Sequence, residues 1–341
     1  MPYVMETCIR THRGDVPVER LRVGDRAVTA SGQLRPIVWI GHRSVDMARH
    51  SDPAAVRPVR VLAGAFGNGL PYRDLWLSPG HSVAFAGTLI PIGRLVNGRS
   101  VFQIAPDNVE YWGVELDGHD ILLAEGLPAE SYLDGGDRDG LANTEEFVEA
   151  KPDTKHWADT CLPFATEGAH VAVTKAQLLA HLADQGYAVV SNPDAHVLAD
   201  GRRIDPIQLS ETRLAFALPA GAAEVTLMSK VFVPMQTRAD SSDPRELGLC
   251  IGHLEVDGDE IALERDEFCA SGWQPAERED GRFKYRWTRG ITPLPPGTRI
   301  VIVEIAGAGY DWRDPLDNVV ALSDWVGKRD GARQGDTSSE P

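Results

Sequence analysis

The chain has 341 residues, enough for two domains and a large buried core, and 43% apolar content is normal for a globular protein. A formal net charge of −16 argues against a nucleic-acid or anionic-membrane surface, because both reward clustered Lys and Arg. No run approaches the roughly 18 consecutive apolar residues of a membrane-spanning helix.

Residues 1–14 lack the apolar stretch of a secretion signal. Cytoplasmic is therefore the default compartment, with leaderless export left open. Cys8, Cys161, Cys250 and Cys269 form no Cys-x-x-Cys pair and no metal-ligand spacing with His. Neither a disulfide framework nor a metal or other cofactor is expected.

In chain order, extended pieces are expected at 16–21, 26–29 and 36–40, separated by Gly14-Asp15, Gly24-Asp25 and Ser31-Gly32. Turn dipeptides at such short intervals mark antiparallel β-structure rather than helix. The pattern continues at 59–63, 75–77, 82–86, 101–104, 112–116 and 121–124, so the first third is expected to be all-β. Residues 137–160, in a stretch rich in Asp, Gly and Glu, read as an exposed linker.

A helical connector over 161–194 is expected to hold one helix at 175–185. Thr174 and Gln177 have capping-box spacing, apolar residues at 178, 179 and 182 make one stripe, and Gly186 ends it. From 195 the β pattern resumes, with Asp200-Gly201, Ala220-Gly221 and Asp257-Gly258 as hairpin candidates. Strands at 214–218, 224–229, 249–256, 285–288 and 299–306 would build a β-sandwich-like module over 195–315. A C-terminal extension, 316–341, lacks apolar content from 328 and is expected to be disordered there.

The chemistry is concentrated in the first module. Thr7-Cys8-Ile9-Arg10-Thr11-His12-Arg13-Gly14-Asp15 is followed by Val18-Glu19-Arg20-Leu21-Arg22-Val23-Gly24-Asp25. Next come Pro36-Ile37-Val38-Trp39-Ile40-Gly41, Leu77-Ser78-Pro79-Gly80-His81 and Leu95-Val96-Asn97-Gly98. The last and longest piece is residues 114–130, which includes Asp117-Gly118-His119-Asp120 and Gly126-Leu127-Pro128-Ala129-Glu130. In this order the pieces resemble bacterial Hint domains, the self-processing fold shared by hedgehog proteins and inteins.

The resemblance implies a domain over 1–136 with a horseshoe-like β-arrangement whose ends meet near a scissile bond. The substrate would be the chain's own backbone. In the family, an N-terminal Cys attacks the preceding carbonyl carbon and converts an amide into a thioester, a step that suits a thiolate. A His protonates the departing nitrogen, and a hydroxyl three residues earlier steadies the bond. His81 and Ser78 have that spacing, and His119 matches the second family His. These three side chains are expected to converge within about 10 Å.

The nucleophile position departs from the pattern. The usual Cys stands five residues before the Thr that aligns with Thr7, and here that position is Pro2, followed by the aromatic Tyr3. The nearest thiol, Cys8, is six residues later, which along one strand is ~20 Å. At the far end, Glu130-Ser131 replace the closing His-Asn of inteins, which removes splicing but not upstream cleavage. Seven residues precede Cys8, too few to fold if released, so either the chain is inactive or its true start lies upstream. The candidate catalytic set is Cys8, Ser78, His81 and His119. Read without the family, Cys8 is a buried small hydrophobe, His81 donates to backbone carbonyls, and His119 is a turn residue.

In the second module, Gly272-Trp273 with Glu277, then Arg286-Trp287-Thr288, resemble small β-modules beside bacterial sugar transferases, as does Asp243-Pro244-Arg245. Trp273, Glu277 and Trp287 are the candidate carbohydrate ligands, since aromatic faces stack on sugar rings. The competing reading makes both Trp residues core pillars. Two functions follow: a self-cleaving Hint domain joined to a β-sandwich, or a non-catalytic binding or structural protein on the Hint scaffold.

Overall fold

A computed structural model of the chain describes residues 2–134, 159–265 and 272–315. Most of the expected linker, the extension 316–341 and Cys269 lie outside these residues. The protein is mainly β, as expected, with antiparallel strands throughout its sheets.

The N-terminal part contains β1 (Tyr3–Val4), β2 (Cys8–Thr11), β3 (Gly14–Pro17), β4 (Arg26–Val28), β5 (Leu34–Asp46), β6 (Val59–Val61) and β7 (Leu75–Leu77). It continues with β8 (Ser82–Phe85), β9 (Thr88–Pro91), β10 (Val101–Gln103), β11 (Asn108–Leu116), β12 (Ile121–Ala124) and β13 (Leu127–Glu130). These strands join in the order β10-β6-β7-β1-β11-β5-β4-β2-β12-β13-β8-β9, with β3 on β2. β1 sits between β7 and β11 while β13 lies between β12 and β8, and the Tyr3 hydroxyl, donating to the Glu130 carbonyl, joins these two ends of the domain.

Two long strands, β5 and β11, pair from Asn108↔Asp46 to Leu116↔Ile37 and form the spine of this sheet. In β5, Ile37, Trp39, Gly41 and Val45 are buried at period two, which places one face inward. Gly41 is required here: a Cβ would lie 2.1 Å from the Trp39 ring, which folds across it. Trp39 in turn packs on Tyr132, with ring centroids 4.9 Å apart. One apolar cluster, including Tyr3, Ile9, Leu75, Leu77, Val83, Ile90, Leu122 and Leu127, fills the domain.

The helix runs over Ala169–Asp184, six residues earlier than the capping-box reading placed it. Its N-cap is Gly168, and Thr174 lies inside, its hydroxyl donating to the His170 carbonyl at 2.8 Å. That local bond satisfies the hydroxyl without ending the helix. The early start is stabilised by burial, because Val171 and Leu178 both enter the N-terminal core. Gly186, at φ 90°, follows the last turn.

Further on, Arg202–Ile204, His196–Ala199, Val225–Met228 and Ile291–Leu294 make one sheet. A second sheet orders Ile207–Gln208, Arg213–Ala217, Ile300–Ala308, Leu249–Val256, Arg282–Thr288 and Trp273–Glu279, with Asp259–Glu260 on Leu249–Val256. The two share a core of Val197, Leu227, Phe216, Ile251, Leu254, Val301 and Val303, which is sandwich packing. Asp200-Gly201 and Asp257-Gly258 are two-residue hairpin turns with both φ values positive. Ala220-Gly221 is not a hairpin. It carries the chain from one sheet to the other, since the strands on either side pair with different partners.

Candidate functional site

Two turns and the end of one strand build the site. After β7, residues 78–81 form a turn in which the His81 N–H donates to the Ser78 carbonyl at 3.0 Å. The Ile92 N–H then donates to the His81 carbonyl at 2.8 Å. These bonds fix the imidazole inside the domain, where it is fully buried. The Ser78 N–H donates to the Pro2 carbonyl at 3.1 Å, so the main chain at the family's nucleophile position lies against this turn.

Glu130, the last residue of β13, is where the parts meet. Its main-chain oxygen accepts the Tyr3 hydroxyl at 2.7 Å and lies 3.1 Å from His81 Nε2. Its Oε1 accepts the Ser82 N–H at 2.7 Å, and its Oε2 lies 3.5 Å from His119 Nε2. Tyr3 and His81 also touch directly, with ring centroids 4.2 Å apart. His81 and His119 therefore both lie against Glu130, one at its main-chain oxygen and the other at its carboxylate. Ser78 reaches this group through its main chain.

A carbonyl oxygen only accepts, so the short contact to Glu130 requires His81 to carry hydrogen on Nε2. Burial pushes the His81 imidazole down to about 4, and the Glu130 charge and the main chains of Pro2 and Glu130 only partly offset it. His81 is thus neutral near pH 7, with its other nitrogen unprotonated. Burial alone would raise the Glu130 carboxyl, but His119, His81 and the Ser82 N–H hold it below its ordinary value. A buried carboxylate stays ionised because its hydrogen-bonding partners replace water.

Cys8 belongs to a different cluster. The chain does not run straight from Pro2 to Cys8: Glu6, at φ 72°, and a Thr7 N–H bond to the Val4 carbonyl turn it from β1 into β2. The expected displacement along a single strand therefore does not occur. The Cys8 N–H donates to Glu125 Oε1 at 2.7 Å, and Cys8 Sγ accepts from Arg73 at 3.1 Å. Arg73 binds both Glu125 oxygens, at 2.8 and 3.0 Å. Burial and the Glu125 charge raise the thiol above its ordinary value despite Arg73, which disfavours a thiolate. None of these partners is shared with His81 or His119.

Glu130 and Tyr3 were not legible as site residues from sequence. Glu130 stands where inteins place a His and so reads as a loss, and the aromatic Tyr3 reads as a strand residue. Among the described residues, no group of three His, Cys, Asp or Glu is arranged to hold a metal ion. No helix among them is long and apolar enough to cross a membrane.

The Hint domain model matches residues 1–136. Those residues form a Hint-type domain. Its family is one of autoprocessing domains, and the match covers the whole of the site just described. The chain is also similar to the solved MchDnaB-1 intein, at 16% identity, 38% of this chain, 99% of the intein and a TM-score of 0.30. The gp41-1 intein is similar at 13% identity, 38% and 96% coverage and a TM-score of 0.28. The Msm DnaB1 intein splicing domain, solved bound with zinc, is similar at 15% identity, 37% and 98% coverage and a TM-score of 0.27. No curated protein matches the chain.

In the second module, Trp273 is 4% exposed and packs in the sandwich core. Glu277 accepts from Arg245 at 3.0 Å and lies opposite Tyr285. Trp287 is half-buried, with its ring centroid 5.7 Å from Phe232 and 6.3 Å from Tyr285. The three candidate ligands are therefore not equivalent, because Trp273 offers no face to a sugar.

Proposed function

We propose that the Hint domain keeps the proton-transfer half of its site and lacks the nucleophilic half, so that it serves as a scaffold rather than cutting its own backbone. The contact that carries this reading is the Ser78 N–H bond to the Pro2 carbonyl, which sets Pro2 beside His81. An N–S acyl shift forms a bond from a side-chain sulfur to the preceding carbonyl carbon and transfers a proton to the released amide nitrogen. His81, neutral and with its second nitrogen unprotonated, suits the proton step by taking the attacking group's proton and passing it to the amide nitrogen. Pro2 has neither thiol nor hydroxyl to begin the first, and Cys8 is held by Arg73 and Glu125 instead.

The test is a reporter fused ahead of Met1, incubated with dithiothreitol and read by intact mass, with Cys8→Ala and His81→Ala beside it. The proposal expects all three fusions to remain intact. A thiol-dependent cut in the parent that Cys8→Ala abolishes would overturn it and make Cys8 the nucleophile.

For the C-terminal sandwich, a carbohydrate-binding reading is favoured by half-buried Tyr285 and Trp287 near the Arg245–Glu277 pair. Aromatic faces with adjacent charged hydrogen-bonding groups suit a sugar ring. Titration of the full chain with a panel of mono- and disaccharides, followed by Trp fluorescence, tests it. Binding lost in Trp287→Ala is expected, and no response to any sugar would remove the reading.

A further inference from the structure

After the Hint sequence ends, the chain returns to the site. The Cys161 N–H donates to His119 Nδ1 at 3.1 Å. Two residues on, Pro163 accepts the Leu89 N–H at 2.8 Å and the Ala165 N–H donates to the Leu89 carbonyl at 3.0 Å, forming a parallel bridge between Leu89 and Phe164. The strand so covered, β9, is the outermost in its sheet. Ala165 packs against the N-terminal core, and His170 Nδ1 lies 3.3 Å from the Thr88 hydroxyl. Residues 160–165 are thus pinned to the domain by bonds at several points. Beneath them the His119 side chain is 1% exposed, although it follows the exposed turn residue Asp117.

We propose that residues 160–165 are a built-in strap that closes the Glu130–His119 site and, through the Cys161 amide, fixes His119 as the Nε2–H tautomer facing Glu130. A backbone N–H can only donate, so His119 Nδ1 must present its lone pair. In a neutral imidazole the hydrogen is then on Nε2, the nitrogen that faces the Glu130 carboxylate at 3.5 Å. The other tautomer would set donor against donor at Cys161 and lone pair against carboxylate at Glu130. The Cys161 amide is in this sense a positioning group acting through His119, in the way outer partners orient histidines at metal sites. The strap's functional weight rests on His119 being a site residue, but its existence does not.

The test uses the full chain labelled with 15N-histidine, reading the tautomer by long-range 1H–15N correlation, with diethyl pyrocarbonate labelling of each His by peptide mass. The parent is expected to show His119 as a single Nε2–H tautomer, labelled far more slowly than exposed His12. Cys161→Ala keeps the amide and should change neither result. Cys161→Pro, which removes the N–H, should lose the single-tautomer signature. Ala165→Pro, which removes the N–H that donates to the Leu89 carbonyl, should speed His119 labelling about tenfold, equivalent to about 1.4 kcal/mol of docking.

Rapid labelling of His119 in the parent, or an Nδ1–H tautomer, would overturn the proposal whether or not the variants fold. So would a folded Cys161→Pro chain whose tautomer matches the parent's. None of these readouts involves backbone cleavage, so failure here is distinct from failure of the proposed function.

Discussion

Acid should weaken the Hint domain through one buried imidazole. His81 is fully buried, and its burial depresses it from an ordinary 6.5 to about 4. In the unfolded chain it titrates at its ordinary value, so between these limits the unfolded state holds a proton that the folded state does not. Stability must then fall as pH falls, by about 1.4 kcal/mol per pH unit for one proton. The contribution is complete above the unfolded value and reaches a loss of about 3 kcal/mol by the folded one.

Glu130 acts in a lower window. Its carboxyl is held below the ordinary 4.5, so its contribution is present above that value and is lost as pH drops through the folded one. The perturbation is His81→Gln, which keeps a donor for the Glu130 carbonyl and removes the titration. The assay is denaturant unfolding at several pH values between 7.5 and 4.5, read by pulsed hydrogen exchange on peptides from residues 75–130. Restricting the readout to these peptides excludes unfolding of the C-terminal sandwich. His81→Gln should be less stable at neutral pH but lose about 2 to 3 kcal/mol less than the parent on acidification. Parallel profiles for parent and variant would mean that His81 does not take up a proton on unfolding in this range.

Other expectations come from single contacts. Asn97 Oδ1 accepts the N–H groups of Arg99, Ser100 and Val101, so Asn97→Ala should cost about 2–4 kcal/mol in urea unfolding and Asn97→Asp less. Glu125→Ala strands the Cys8 N–H and should cost about 1–3 kcal/mol, measurable in the same way. Gln177 is exposed in mid-helix, so Gln177→Ala should shift stability by under about 0.5 kcal/mol, where a true capping box would lose about 1. Trp273→Ala empties a core site and should cost about 3–5 kcal/mol by thermal or chemical unfolding.

Much of the fold was legible where apolar alternation met turn residues. The strands Leu75–Leu77, Ile121–Ala124 and Leu249–Val256 coincide with the pieces read from sequence. The strand read as 36–40 lies in the first half of β5, because Gly41, Arg43 and Ser44 end the apolar alternation while the pairing with β11 continues. Helix start was misread because Thr174-x-x-Gln177 has cap spacing, whereas burial of Val171 extends the helix past it. Periodicity carries no information about which sheet a strand joins, so Ala220-Gly221 looked like a hairpin.

At the site, the ordered motifs located His81 and His119 but not what joins them. Glu130 is visible only once β13 lies beside β8 and the carboxylate meets the Ser82 N–H. The Cys161 amide could not be foreseen, since a backbone donor 42 positions from His119 leaves no residue-type signal.

If the nucleophile is what upstream cleavage lacks in the proposed scaffold, a thiol restored at residue 2 should restore the cut. The most direct test is Pro2→Cys in the reporter fusion, with and without His81→Ala, read by intact mass in the presence of dithiothreitol. The parent is expected to stay intact, Pro2→Cys to be cut in a thiol-dependent way immediately before residue 2, and that cut to be lost when His81 is also removed. A folded Pro2→Cys fusion that stays whole would contradict this, because the proton-transfer half would then be absent as well.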